Sequence, residues 1–159
     1  MTSVRPATVD DLPMLIRHRR GMLEDMARYP AEHFDQHDRD YAPWARERLA
    51  NGQLIGFVAE VDGRAVASAC IWLKERQPVP GYKGGRVPYL MSVFTERDCR
   101  GKGHGEAVSR AAVEWAAAGG YPLIALHASE MGRAMYEKLG FKRTWEMQLR
   151  WDGDAAPIV

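Results

Sequence analysis

Cys99 to Gly105 read Cys-Arg-Gly-Lys-Gly-His-Gly, with three glycines in five residues. Glycines so close together let the main chain approach a ligand and expose its N–H groups. A helix beginning directly after such a turn adds the partial positive charge of its N-terminus, so the arrangement suits a phosphate or pyrophosphate. Arg100 and Lys102 bring full charges to the same turn. The spacing is neither the G-x-x-x-x-G-K-[ST] of a P-loop nor the G-x-G-x-x-G of a dinucleotide site. By itself, a turn of this kind also serves as a plain passage from strand to helix.

Other candidate chemistry is thinner. His33 and His37 stand four apart, a spacing that places two imidazoles on one helical face. No third ligand is near in sequence, and the segment is not an HExxH motif, so no metal is expected. Met22 and Met26 read either as a flexible wall for a ligand or as core. Cys70 and Cys99 have no metal-type spacing and read as reduced thiols.

The elements that must hold the turn are bounded first by length. The 159 residues fit one domain over residues 1–151, with 152–159 (DGDAAPIV) as a short loose tail. The 22 Lys+Arg against 21 Asp+Glu argue against a partner such as nucleic acid or anionic membrane, which selects for basic excess. Seventeen of the cations are arginine. That bias suits phosphate or carboxylate recognition and equally reflects genome composition. No apolar run approaches the ~18 residues of a membrane span, and the N-terminus lacks the apolar stretch of a secretory leader. A cytoplasmic protein is expected.

Residues 4–7 suggest an edge strand. Leu12, Leu15, Ile16, Arg19, Met22, Leu23 and Met26 mark one face of a helix reaching about residue 28 before Pro30. Tyr41, Trp44, Ala45 and Leu49 suggest a second helix closed by Asn51-Gly52. Strands are expected over Leu54–Val61 and residues 64–73, joined by Asp62-Gly63 as a type I′ turn. Residues 74–86 form a Pro/Gly loop, either a lid or a long hairpin connection. A strand over 87–95, the Gly-turn, a helix over 105–118 with Val108, Ala111, Ala112 and Trp115 inward, and a strand over 123–127 follow. Ser129 would cap a helix over 130–139, and residues 141–151 return as one or two strands. This order implies an α/β mixed sheet, with antiparallel hairpins first, a parallel pair later and helices on both faces.

Arg100 to Gly105 resembles the R-x-x-G-x-G/A pattern of the GCN5-related N-acetyltransferase (GNAT) superfamily. Residues 129–141 (SEMGRAMYEKLGF) resemble its second signature, which commonly ends Y-E-K-L-G-F. The resemblance extends over residues 4–151 and is closest to bacterial members of undefined substrate. It implies the GNAT-like acyl-CoA N-acyltransferase fold, whose mostly antiparallel central sheet splays at the cofactor cleft. It implies acetyl-CoA as co-substrate and a primary amine on a small molecule or peptide as acceptor, with direct transfer in a ternary complex. A homodimer is left open.

By the same resemblance the pyrophosphate would lie on the turn Arg100, Gly101, Lys102, Gly103, His104, Gly105 and Glu106. The pantetheine arm would add to the main chain of Val93, Phe94 and Thr95, where an N–H of Val93 or Phe94 would polarise the thioester carbonyl. Tyr136 aligns with the tyrosine that protonates the departing thiolate. His127, Glu24, Glu130 or a water chain would serve as base, while Glu96 and Asp98 read as solvated charges. Three positions depart from the pattern. Ser129 replaces a common asparagine, so it either bonds the pantetheine arm or caps a helix. His104 replaces an apolar residue and is expected to be exposed. No proline precedes the turn, which leaves the register of the cofactor strand open. Two other readings use the same features: a non-catalytic acyl-CoA-binding regulatory module on this fold, and a nucleotide-binding α/β domain.

Overall fold

The described strands form one five-stranded sheet in the order β1 (Ser3–Pro6), β2 (Leu54–Val61), β3 (Arg64–Arg76), β4 (Gly85–Thr95) and β5 (Ala125–Leu126). The first four pair antiparallel, and β5 runs parallel to β4. This computed structural model describes residues 1–151; the expected tail lies outside the described residues. Asp62 and Gly63 have φ of +51° and +77°, the paired left-handed conformation whose twist lets β2 turn directly into β3.

Helices cover both faces. α1 (Leu12–Asp25) and α2 (Phe34–Asn51) lie on one, α3 (His104–Ala118) on the other, and α4 (Arg133–Lys138) follows β5. Thr8 N–H donates to the Asp11 carboxylate at 2.7 Å just before α1, which carries Pro13 in its first turn where no N–H is needed. Gly52, at φ +75°, ends α2. Leu12, Leu15, Tyr41, Ala45, Leu54 and Cys70 fill the α1/α2 face. Phe57, Ala67, Ile71 and Leu90 meet Val108 and Ala112 on the α3 face, with Ala111 and Trp115 at its margin. Burial of β3 on both faces is why it carries apolar residues at successive positions.

Several expected boundaries move. α1 stops at Asp25, not near residue 28, because Ala27 turns left-handed at φ +51°. Residues 74–86 are no lid: β3 and β4 pair out to Arg76↔Gly85, and Val79↔Tyr82 closes the connection as a hairpin. The strand expected over 123–127 is two residues long. The helix expected over 130–139 shortens to α4, since Ser129 Oγ accepts the Gly132 N–H at 3.1 Å and makes a turn first. Residues 141–151 form no strand. A strand needs an adjacent edge for its N–H and C=O groups, and no described strand pairs with this segment.

Two irregularities in β4 shape the site. Ser68 pairs with Phe94 but Cys70 with Met91, so β4 carries one extra residue, and Ser92 sits there at φ +54°. Such a bulge reverses the in–out alternation and bends the strand. Leu90 and Val93, three apart, therefore both pack toward α3, while Met91 packs toward α1 and α2. Phe94 meets α1 at Gly21, where a Cβ would lie 2.7 Å from the ring. The second irregularity is a splay. β5 pairs with β4 at Tyr89↔Ala125 and Leu90↔Leu126, and among the described residues no strand pairs with residues 91–95 of β4 on that side.

Candidate active site

The splay opens into a cleft of about 540 Å³ between β4, the Gly-rich turn, α1 and α4. Val93, Phe94, Thr95, Arg100, Gly101, Gly103, His104, Gly105, Glu106, His127, Ser129 and Tyr136 all line it. Of the turn from Arg100 to Glu106, Lys102 alone is outside that lining; its Nζ reaches the Asp98 carbonyl at 3.4 Å.

Main-chain direction decides which groups face the cleft. Glu96 N–H donates to Val66 C=O at 2.9 Å, toward β3. Antiparallel strands alternate this direction residue by residue. The peptide groups of Phe94 accordingly face β3, and those of Val93 and Thr95 face the open side. The Thr95 carbonyl accepts Arg100 Nε at 3.1 Å on that side. Of the two N–H groups considered for polarising a carbonyl, Val93 has the cleft-facing direction.

The turn is built by backbone conformation. Gly101 and Gly103 have φ of +74° and +81°, and a Cβ on either would meet nothing within 4 Å. Glycine is needed there for its dihedrals. Gly105 is needed for closeness: its Cβ would lie 3.1 Å from Thr95 Oγ1. The N-terminus of α3, with its unsatisfied N–H groups, is thereby pressed against the end of β4.

The charges of the turn are largely committed. Arg100 bonds the Asp25 carboxylate on α1, which also accepts Arg97 Nη2 at 2.9 Å. Burial alone would raise the Asp25 carboxyl, but Arg100 and then Arg97 outweigh it and hold it below the usual carboxylate range. Glu106 receives Lys138 Nζ at 2.9 Å and Arg110 Nη2 at 2.7 Å, which depress its carboxyl and tie α4 to α3. His104, expected to be exposed, is 6% exposed and hydrogen-bonded through Nδ1 to Thr2 Oγ1 at 3.1 Å. Glu96 and Asp98, expected as solvated charges, are both paired: Glu96 with His18 and Arg17, Asp98 with both terminal nitrogens of Arg64.

Tyr136 stands over Gly132, where a Cβ would lie 2.9 Å from the ring, and meets Phe141 edge-on at 5.9 Å. Burial pushes its hydroxyl up to about 12, so at neutral pH it is a proton donor. His127 is exposed just beyond β5. Glu24 instead accepts Arg20 Nε at 3.1 Å, and neither Glu24 nor Glu130 lines the cleft. Met22 and Met26 line it.

The sequence alone does not single out Arg19, Ser92 or His18 for the site. Asp25 and Ser92 line the cleft, as does Arg19, which bonds Ser92 Oγ at 2.9 Å and His37 Nε2 at 3.1 Å. His18, fully buried, lies between Ser68 Oγ at 2.9 Å and Glu96 Oε1 at 3.1 Å, tilted against Phe94. The available signal was Arg19 itself, an arginine within an otherwise apolar helical face. His37 belongs to this network, and among the described residues no group of three ligating side chains assembles for a metal.

The sequence profile of the Acetyltransferase (GNAT) family matches residues 19–141. The chain belongs to that family. A crystal structure of a GCN5-related N-acetyltransferase from Ralstonia eutropha JMP134 is 28% identical and superposes with a TM-score of 0.87, over 96% of this chain and 100% of that one. A predicted acetyltransferase from Clostridium acetobutylicum, with acetyl-CoA, is 29% identical at a TM-score of 0.83, over 94% and 96%. An aminoglycoside N-acetyltransferase in complex with CoA shares the fold at 22% identity and a TM-score of 0.66, over 94% and 93%. No curated protein is significantly similar in sequence.

Proposed function

We propose that this chain transfers the acetyl group of acetyl-CoA to a primary amine of a small molecule or peptide, directly between the two bound partners. The observation that carries the reading is the edge of β4 at residues 91–95, unpaired among the described residues and opening into one cleft with the Gly-turn and Tyr136.

The residues fit acetyl-CoA. Its arm bears amides, and Val93 and Thr95 turn peptide groups toward the open side. The main chain of the turn from Gly101 to Glu106, at the start of α3, suits the pyrophosphate. Ser129 Oγ accepts the Gly132 N–H, and its own O–H remains for the arm. Acetyl-CoA supplies the activated acyl group. Val93 N–H stabilises charge developing on the thioester oxygen, as a preorganised donor. An amine acceptor, with a lysine-like pKa near ~10, must lose a proton before attack, and His127 receives it. As the new C–N bond forms and the C–S bond breaks, Tyr136 gives its proton to sulfur.

The free thiols Cys70 and Cys99 accord with a cytoplasmic setting. Among the described residues no helix is long and apolar enough to cross a membrane.

The test has two arms. Acetyl-CoA should raise the melting temperature, as a ligand specific for the folded state must; no shift at millimolar ligand counts against the reading. Thiol release across a panel of amines should then identify the acceptor. Binding without transfer to any amine would favour a non-catalytic acyl-CoA-binding module.

A further inference from the structure

Arg19, Met22 and Met26 share the face of α1 that lines the cleft, opposite Tyr89 and Met91 of β4. Arg19 is the charged member of this wall. Its Nη1 donates to Ser92 Oγ at 2.9 Å and its Nε to His37 Nε2 at 3.1 Å, and the guanidinium lies 4.8 Å above the Tyr41 ring. His37 accepts at Nε2, so its proton sits on Nδ1 and is donated to Asp38 at 3.0 Å. The partners of Arg19 are therefore neutral. Among the described residues it meets no carboxylate, and its Nη2 makes no hydrogen bond. The other arginine of the cleft, Arg100, is bonded to Asp25.

α1 and β4 run the same way along the cleft. Arg19 meets Ser92, Gly21 meets Phe94, and Asp25 meets Arg100. Asp25 thus marks the end at the Gly-turn, and Arg19 the opposite end, beside Val93. We propose that Arg19 selects the acceptor: the amine that is acetylated carries a carboxylate, which the free side of the guanidinium holds, and an apolar body, which Met22, Met26 and Met91 receive. The inference rests on the acetyl-transfer reading and names its acceptor class.

Charge accounts for the choice. When two substrates fill the cleft, water leaves it, and a cation without a counter-ion is costly to desolvate. A carboxylate on the acceptor supplies the missing charge through charge-assisted hydrogen bonds. Ser92, His37 and Tyr41 hold the guanidinium in place beforehand, so little ordering remains to be done on binding. A polycationic acceptor finds no such match. Asp25 and Glu106 are the carboxylates of the cleft among the described residues, and both already bond cations. A phosphate dianion would exceed the single charge of Arg19.

Thiol release with leucine against leucinamide, and phenylalanine against phenylalaninamide, tests the assignment. The amides keep the shape, lose the negative charge and have the more readily deprotonated amine, so a preference for the acids cannot come from basicity. The wild type should favour each acid at least ~10-fold in kcat/KM. In Arg19→Gln the ratio should fall to near parity through KM for the acids. A merely structural loss would slow acid and amide alike and leave the ratio in place, so an unchanged ratio overturns the proposal. Should Arg19→Gln fail to fold, Arg19→Lys decides: with charge kept and the fork lost, the ratio should drop at least ~3-fold, and no drop overturns the proposal. A wild type that prefers the amides, or that acetylates phosphoethanolamine faster than either amino acid, also overturns it. Melting with acetyl-CoA separates the two levels. A shift on acetyl-CoA, with transfer confined to amines lacking a carboxylate, removes this inference alone. No shift removes acetyl transfer and this inference with it.

Discussion

Arg19 Nη1 donates to Ser92 Oγ across 2.9 Å, and the serine that receives it sits at φ +54°. The same guanidinium donates through Nε to His37 Nε2 and lies 4.8 Å above the Tyr41 ring. One side chain therefore binds α1, α2 and the bulge of β4 together. A non-glycine residue in the left-handed region costs about 1–3 kcal/mol, and the bond from Arg19 offsets part of it. Ser92→Gly accepts the backbone and loses one hydroxyl, so its stability should stay within ~1 kcal/mol of wild type. Ser92→Val should cost about 2–4 kcal/mol, a fall of several degrees in melting temperature for a chain of this size. Equal melting temperatures for the two variants would show that the bulge is not strained.

Gly103 and Gly120 form a matched pair. Their φ values are +81° and +72°, and a methyl group on either would meet nothing within 4 Å. Alanine at either should cost a similar ~1–2 kcal/mol from backbone strain alone. Gly103 lines the cleft, whereas Gly120 lies just beyond the end of α3. Gly103→Ala should weaken acetyl-CoA binding at least ~10-fold, and Gly120→Ala should leave it unchanged. Titration calorimetry on both proteins makes the comparison; equal affinities would remove the turn from the phosphate site.

Tyr136, raised to about 12 by burial, stays protonated across the working range. Its loss as an acid cannot limit turnover at moderate pH. The kcat profile should therefore show no descending limb below about pH 10, and Tyr136→Phe should lower kcat about 100-fold at every pH with a smaller effect on acetyl-CoA affinity. A descending limb near pH 8 that vanishes in Tyr136→Phe contradicts this.

His18 is held below its ordinary pKa by burial, with Glu96 opposing the shift and Arg17 reinforcing it. Glu96 is a carboxylate, so Nε2 carries the proton toward it and Nδ1 accepts the Ser68 hydroxyl. Because the folded state disfavours the imidazolium, acid favours unfolding. The contribution is intact above the ordinary imidazole value of ~6.5 and declines as pH falls below it toward the depressed folded value. Urea unfolding at stepped pH should show wild-type stability dropping from pH 7 to 5. His18→Gln should be less stable at pH 7 but fall less steeply. Parallel curves for the two proteins would rule the imidazole out as the titrating group.

Local signals were legible where local physics decides. Asp62-Gly63 announces its hairpin, and β2 occupies Leu54–Val61, the bounds expected before that turn. The Gly-turn and Tyr136 meet in one cleft although 30 residues separate them. What escaped depends on partners distant in the chain. His104 is buried because Thr2, 102 residues earlier, reaches it. The hairpin extension to Arg76↔Gly85 depends on cross-strand pairing, which a Pro/Gly-rich stretch conceals. Serine carries no marked preference for φ > 0, so the bulge at Ser92 leaves no trace in the sequence. Residues 141–151 have a strand's alternation, but alternation does not supply an edge to pair with.

Two residue pairs join β5 to the remainder of the sheet. β5 and the α4 unit behind it thus have little backbone cohesion of their own with the first four strands, and the Lys138–Glu106 contact supplies one of their few polar ties to α3. Such a unit opens at a lower free energy than the global transition. A cofactor inserted along residues 91–95 would act as the missing rung, merging two cooperative blocks into one. Ligand binding in this fold would then be read as a change in how the molecule melts, from two steps toward a single one.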